Sequence, residues 1–245
     1  MTRLQVDALE VRYGGTPVLH GIGLALPPGE FVALLGPNAA GKSTLLHAIA
    51  GVVRATRGAV HVDGIDVARD PRAARMHLGL AVAPPLLPER LTGLECLRLF
   101  AAARGLRDVP ADTLALAESL HATAMLDRSV SHYSLGTRQK LGILLGLIGT
   151  PPLLLLDEPV NGLDPLAARA LKQHLRQRAR EHGDTVLMAT HALDVAERVV
   201  DRAVLMIEGR LAHAWDAQAL EGIRRDPERS LEAEMAAALA TNSRP

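Results

Sequence analysis

Nine consecutive residues constrain this chain more than any others: Gly36, Pro37, Asn38, Ala39, Ala40, Gly41, Lys42, Ser43 and Thr44, which fit the pattern G-x-x-x-x-G-K-[ST]. Ahead of them, Phe31, Val32, Ala33, Leu34 and Leu35 make an unbroken apolar run, as a strand buried on both faces does. Behind them, Leu45, Leu46 and Ile49 recur at helical spacing. A buried strand that stops at a glycine loop and restarts as a helix predicts an α/β core. The backbone N–H groups of such a loop and the positive end of its helix wrap polyphosphate, Lys42 reaches the β and γ phosphates, and Ser43 offers a hydroxyl to Mg²⁺. The competing reading is an ordinary glycine turn before a helix. Against it, lysine occurs only at Lys42, Lys140 and Lys172 in a chain that otherwise uses arginine, so a lysine here is not incidental.

A second buried-strand pattern, Leu153 to Leu156, ends on Asp157 and Glu158. Open α/β sheets keep their ligand sites at such strand ends. Asp157 can hold a metal through its water shell, and Glu158 can take a proton from, or orient, a water attacking a γ-phosphate. Two solvated acids closing a strand are the alternative. The remaining patterns place short strands at Val6 to Val11 and Val18-Leu19, bounded by Gly14, Gly15 and Pro17, and another at Val60 to Val62. Pro84, Pro85 and Pro88 mark a loop, and then come helices: Thr92 and Glu95 at capping-box spacing ahead of Leu97, Leu99 and Phe100, and Ala111 to Leu120. Asp164 with Pro165 makes an N-cap and N1 proline, and Val186 to Ala189 is a further core strand. From about Ala212 the pattern weakens, leaving one short helix over Ser230 to Leu239 whose Glu232 and Glu234 mark a solvated face.

Composition removes several function classes. Aromatic residues are 2% of the chain, too few for a platform that stacks sugars or bases. Lys and Arg number 27, as do Asp and Glu, and the signs are mixed along the chain without a basic block, so no nucleic-acid partner is expected. Cys96 is the only cysteine, which excludes an intrachain disulfide and a cysteine-rich metal site and suits a reducing compartment. Met1 to Leu9 lacks the apolar core of a signal peptide. The apolar stretch Leu141 to Leu156 is broken by Gly149, Thr150, Pro151 and Pro152, and each half falls short of the roughly 20 residues that cross a bilayer.

Ser134-Leu135-Gly136-Thr137-Arg138-Gln139, shortly before the acidic strand, resembles the signature motif of ABC ATPases, with Thr137 in place of the usual second glycine and Arg138 displacing the glutamine. A Ser hydroxyl and glycine backbone at a helix N-terminus make an anion cradle. Other family elements follow in order: Tyr13 looks like the aromatic that stacks on adenine, Asn161-Gly162-Leu163-Asp164 is similar to the D-loop, and His191 resembles the switch histidine that contacts γ-phosphate. The resemblance spans roughly Leu4 to Leu211 and most resembles ATPase subunits of bacterial ABC-2-type exporters. It implies a P-loop NTPase core with a mixed sheet flanked by helices, an N-terminal antiparallel β-subdomain and an inserted α-helical subdomain at about 86–150, all within an ATPase domain 1–220 followed by a helical tail 221–245. It implies ATP and Mg²⁺ as cofactors, with Ser43 and Asp157 on the metal and Glu158 and His191 in catalysis. Tyr13, the phosphate loop, Ser134, Leu135, Gly136 and Asp164 would hold nucleotide. A homodimer or heterodimer of ATPase subunits and a separate membrane permease are the implied partners, and the inner face of the cell membrane is the implied place. One position departs: where the family's Q-loop has glutamine, this chain has Ala83, which can neither ligate Mg²⁺ nor bond the attacking water. Two rivals remain, a soluble ABC ATPase outside transport and a slow-hydrolysing regulatory subunit.

Overall fold

A computed structural model describes residues 2–191, 193–226 and 228–242. The chain opens on a hairpin of two long strands, β1 (Leu4–Tyr13) and β2 (Thr16–Leu26). Patterning predicts shorter strands stopped by Pro17, but β2 runs through it, opposite Arg12. β2 is the edge of its sheet, where a residue without an N–H leaves no ladder bond unmade. After β3 (Phe31–Leu35) and α1 (Lys42–Ile49), β4 (Arg57–Val62) and β5 (Ile65–Asp66) complete an antiparallel sheet in the order β2-β1-β4-β5.

A short helix α2 (Pro71–Met76) and strand β6 (Leu78–Leu80) lead to a stretch without strands: α3 (Gly93–Ala103), α4 (Ala111–Ser119) and α5 (Leu135–Leu147). The Thr92 hydroxyl accepts from the Glu95 amide at 3.2 Å and the Glu95 carboxylate accepts from the Thr92 amide at 2.7 Å, so α3 starts on the capping box its sequence announces. Then follow β7 (Leu153–Asp157), α6 (Pro165–His182), β8 (Thr185–Ala189), α7 (Leu193–Val199), β9 (Arg202–Ile207), β10 (Arg210–Trp215), α8 (Ala217–Arg225) and α9 (Leu231–Asn242). The second sheet has the order β10-β9-β3-β8-β7-β6, parallel throughout except at β10. This is the mixed α/β arrangement of a P-loop NTPase.

Alternation explains why the central strands read as unbroken apolar runs. Phe31, Ala33, Leu35, Leu154, Leu156, Val186 and Met188 face the side covered by α3 to α6. Val32, Leu34, Leu153, Leu155, Leu187 and Ala189 face α1 and the β1–β2 hairpin. Each large side chain so buried contributes about 1.5–3 kcal/mol, and a one-residue slip would exchange the two faces.

The apolar stretch that begins at Leu141 is core, and no helix among the described residues is long and apolar enough to cross a membrane. Gly142 and Gly146, one turn apart on α5, let this helix lie directly on the backbone that follows β6. A Cβ on Gly142 would collide with the Val82 carbonyl, one on Gly146 would stand 2.6 Å from the Ala81 Cα, and the Val82 amide donates to the Gly142 carbonyl at 3.0 Å.

At the C-terminal end the structure holds more than its sequence pattern. β10 escapes notice because a register shift between Leu211 and His213 breaks its alternation and only Trp215 is buried. In α8 only Leu220 and Ile223 are buried, after an N-cap in which Asp216 accepts from the Ala219 amide at 2.8 Å. α9 covers most of the expected 230–239 and runs on to Asn242, while residues 227 and 243–245 of the expected tail lie outside the described residues. Charge also sorts differently in space. The sequence shows no basic block, yet α6 carries Arg169, Lys172, Arg176, Arg178 and Arg180 against one acid, Glu181, because cations three or four residues apart in sequence are neighbours on a helix.

Candidate functional site

In the strand order β3-β8-β7, three neighbouring strands end side by side. β3 delivers the phosphate loop, β7 delivers Asp157 and Glu158, and β8 delivers Thr190 and His191. Between these ends and the tip of β1 lies an open cleft of about 430 Å³ lined by Tyr13, Val18, Asn38, Ala39, Ala40, Gly41, Lys42, Ser43, Thr44, Asp157 and Glu158.

The loop is tightly built. Gly36 has φ 148°, and a Cβ there would collide with the Met206 carbonyl of β9, so the chain can pass only as glycine. Ala39 takes a left-handed φ of 64°, a conformation that strains any residue with a Cβ by about 1 kcal/mol or more. The Gly209 amide donates to the Ala40 carbonyl at 2.9 Å and so ties the loop to the β9–β10 turn. Lys42 is 7% exposed, and its ammonium donates to the Gly36 carbonyl at 2.7 Å and the Pro37 carbonyl at 3.0 Å. Gly36 and Pro37 are thus placed behind the lining, as acceptors for the lysine.

Glu158 is held in a left-handed conformation too, with φ 45°. Its amide donates to the Ala189 carbonyl at 2.9 Å, and its carbonyl accepts from the Asn161 amide at 3.1 Å and from Gln139 Nε2 at 3.4 Å. The carboxylate meets His191 twice, through Nδ1 at 2.9 Å and through the backbone amide at 3.3 Å. Two residues that lie far apart in sequence thus form one acid–imidazole pair, of which Glu158 lines the cleft and His191 does not. Ser43 and Asp157 line the same cleft, and no cluster of three or more metal-ligating side chains occurs among the described residues. One hydroxyl and one carboxylate suit Mg²⁺, which takes its remaining positions from phosphate oxygens and water.

The expected signature residues do not reach this cleft. Ser134 caps α5, its hydroxyl accepting from the Thr137 amide at 3.2 Å, and Leu135 beside it is 67% exposed. Gly136 lies so close to the Gly162 carbonyl that a Cβ would collide with it. Asp164 does not line the cleft either. It caps α6 by accepting from the Ala167 amide at 2.9 Å and pairs with Lys140 of α5 at 2.8 Å. The Lys140 ammonium, with the Ala167 amide second, holds the Asp164 carboxyl down to about 2. A depressed carboxyl favours the fold above its ordinary range, so this brace is lost only as the pH falls through about 2. Sequence reasoning missed Lys140 as the partner of Asp164 and Gln139 as a support for Glu158. The available signal was Lys140 itself, one of three lysines.

Residues 19–161 match the family model described as "ABC transporter". The chain is 34% identical to the ABC-type transporter ATP-binding protein EcsA of Bacillus subtilis over 213 residues, 86% of each chain. It is 35% identical to the daunorubicin resistance ATP-binding protein DrrA2 of Streptomyces coeruleorubidus over 209 residues, 84% of this chain and 65% of that one. Among solved structures, the ATP-binding subunit of an ABC transporter superposes with a TM-score of 0.85 at 33% identity, covering 97% of this chain and all of that one.

Proposed function

This chain belongs to the family of ABC transporter ATP-binding proteins, and from that membership we propose that it works as half of a dimer closed on two ATP molecules. It is the ATP-binding, ATP-hydrolysing subunit of a transporter. One observation carries the dimer: Lys42, Asp157 and Glu158 line one cleft, with His191 bonded to Glu158, whereas Ser134, Leu135 and Gly136 stand outside it with Leu135 exposed. A helix N-terminus that can cradle an anion and lies outside the cleft of its own phosphate loop suits the γ-phosphate of another subunit.

In this reading the phosphate loop and Lys42 bind the β and γ phosphates, Tyr13 stacks on adenine, and Ser43 and Asp157 hold Mg²⁺, which neutralises charge on the phosphates. Water attacks the γ-phosphorus, Glu158 takes its proton, and the bond to the β–γ bridging oxygen breaks, leaving its electrons on ADP. His191 holds the carboxylate through the contacts described and meets the γ-phosphate. Asp164 acts as a brace between α5 and α6 at the D-loop. Closure and reopening drive a separate membrane permease at the inner face of the cell membrane, and a relative named for daunorubicin resistance supports export. The ATPase domain 1–220 carries this chemistry and the segment 221–245 serves as an appended helical tail. Phosphate release per subunit is expected to rise with protein concentration at saturating Mg-ATP until the dimer is filled; a specific activity constant over about a hundredfold in concentration in which the chain elutes as a monomer with Mg-ATP rules out the sandwich.

A second reading, a slow ATPase tuned for regulation, is favoured by Ala83. This residue lies in extended backbone (φ −62°, ψ 139°) at the start of the turn Pro84–Leu86 and brings no polar group to the loop after β6. One preorganised polar contact to a transition state is worth on the order of 3 kcal/mol, or roughly a hundredfold in rate. Ala83→Gln is expected to raise turnover of the assembled transporter by up to that factor with ATP affinity nearly unchanged. Turnover that stays flat or falls removes this reading.

A further inference from the structure

Away from the phosphate loop, basic residues gather in a groove of about 480 Å³ between α6, α7 and α8. Arg169, Lys172, Arg176 and Arg180 enter it from α6, Arg198 from α7 and Arg224 from α8, and among the described residues none of those lining it is a carboxylate. The whole chain is neutral, with 27 basic and 27 acidic residues, so this gathering is a property of the fold. Two of the cations are fixed in the wall: Arg176 pairs with Asp201 at 2.6 Å, and Arg224 donates to the carbonyls of Glu197 and Val200 at 2.5 and 2.6 Å. Arg169, Lys172 and Arg180 make no ion pair among the described residues. Like charges converging on a concavity focus a positive potential there.

We propose that this groove binds an extended acidic segment of a partner protein, one with carboxylates on alternate residues. Lys172, Arg176 and Arg180 lie four residues apart on one helix, a rise of about 6 Å per step. Alternate side chains of an extended chain repeat at about 6.6 Å, which matches. A nucleic-acid duplex is far wider than a groove of about 480 Å³ and would lie across its rim rather than enter it. Among the described residues no aromatic ring lines the groove to stack a base and Val199 is its one apolar side chain, so neither single-stranded nucleic acid nor a lipid surface finds its usual foothold. All of the cations but Lys172 are arginine, whose planar fork takes a carboxylate through two hydrogen bonds. The occupant is therefore a short polypeptide run of the Glu-x-Glu-x-Glu kind.

The test is a fluorescence anisotropy titration of a labelled peptide of about eight residues, alternating Glu and Ser, with the full chain at low salt. Saturable binding that weakens as salt rises is expected, together with at least a roughly tenfold loss in the variant Arg169→Glu/Lys172→Glu/Arg180→Glu. ATPase activity equal to the parent's reports that this variant is folded. Should it misfold, Arg169→Gln/Lys172→Gln gives the same comparison, with an expected loss of about threefold. Equal affinity of parent and folded variant, or no saturable binding, overturns the proposal. So does tighter binding of the parent to phosphatidylserine vesicles or to an oligothymidylate than to the peptide.

Discussion

Lys42→Ala is expected to abolish productive ATP binding. The ammonium is nearly buried and already sits at the mouth of the loop, donating to the carbonyls of Gly36 and Pro37. Its place at the first turn of α1 lets it turn to β and γ phosphate oxygens with little loss of conformational freedom. Hydrogen bonds between charged groups contribute about 1.5–3 kcal/mol each, so losing two is worth roughly two to four powers of ten in affinity. The variant keeps Ser43, the loop amides and the helix end, and the fold loses only the lysine's bonds to its own loop. Titration with a fluorescent ATP analogue, beside a thermal melt that reports folding, separates these effects. Affinity and turnover equal to the parent's would remove the phosphate loop from the site.

Glu158→Gln is expected to keep ATP and stop at hydrolysis, with turnover down by about 10²–10⁴. An amide matches the carboxylate in shape and still accepts from His191 Nδ1 through its oxygen, but it cannot take the proton of the attacking water. The left-handed backbone at Glu158 is held by Ala189, Asn161 and Gln139, all independent of the side chain, so the substitution does not disturb the turn. A closed dimer then has no step by which to open. Size-exclusion chromatography with Mg-ATP is expected to show a persistent dimer for this variant, and a monomer at saturating ATP contradicts the sandwich.

The parts of the fold that were legible in the sequence are those where one period operates without interruption. β3, β7 and β8 are buried on both faces and announce themselves as apolar runs, and the caps at Thr92 and Asp164 announce the helices they begin. β10 and α8 were not legible, since each buries only one or two side chains and a register shift scrambles the first. The cleft followed the same division. Its loop and acidic strand end are contiguous motifs, whereas the pairing of Glu158 with His191 crosses from β7 to β8 and depends on strand order. The left-handed turn at Ala39 carries no marker, because alanine there looks like any loop alanine. Nor does the linear charge pattern disclose the groove beside α6, whose cations come together only when three helices pack.

The contact between α5 and the backbone after β6 has a mechanical meaning. With hydrogens at Gly142 and Gly146 in place of side chains, helix and strand segment touch backbone to backbone, and the bond from Val82 to Gly142 pins them in register. A joint with no side chains between its members has no play in it. Val82 adjoins Ala83, so the joint leaves no side-chain rotamer between α5 and the start of the loop after β6. Ser134 stands at the far end of that helix and Gln139 partway along it, so α5 is a rigid link from the loop after β6 to Ser134 and to the turn that carries Glu158.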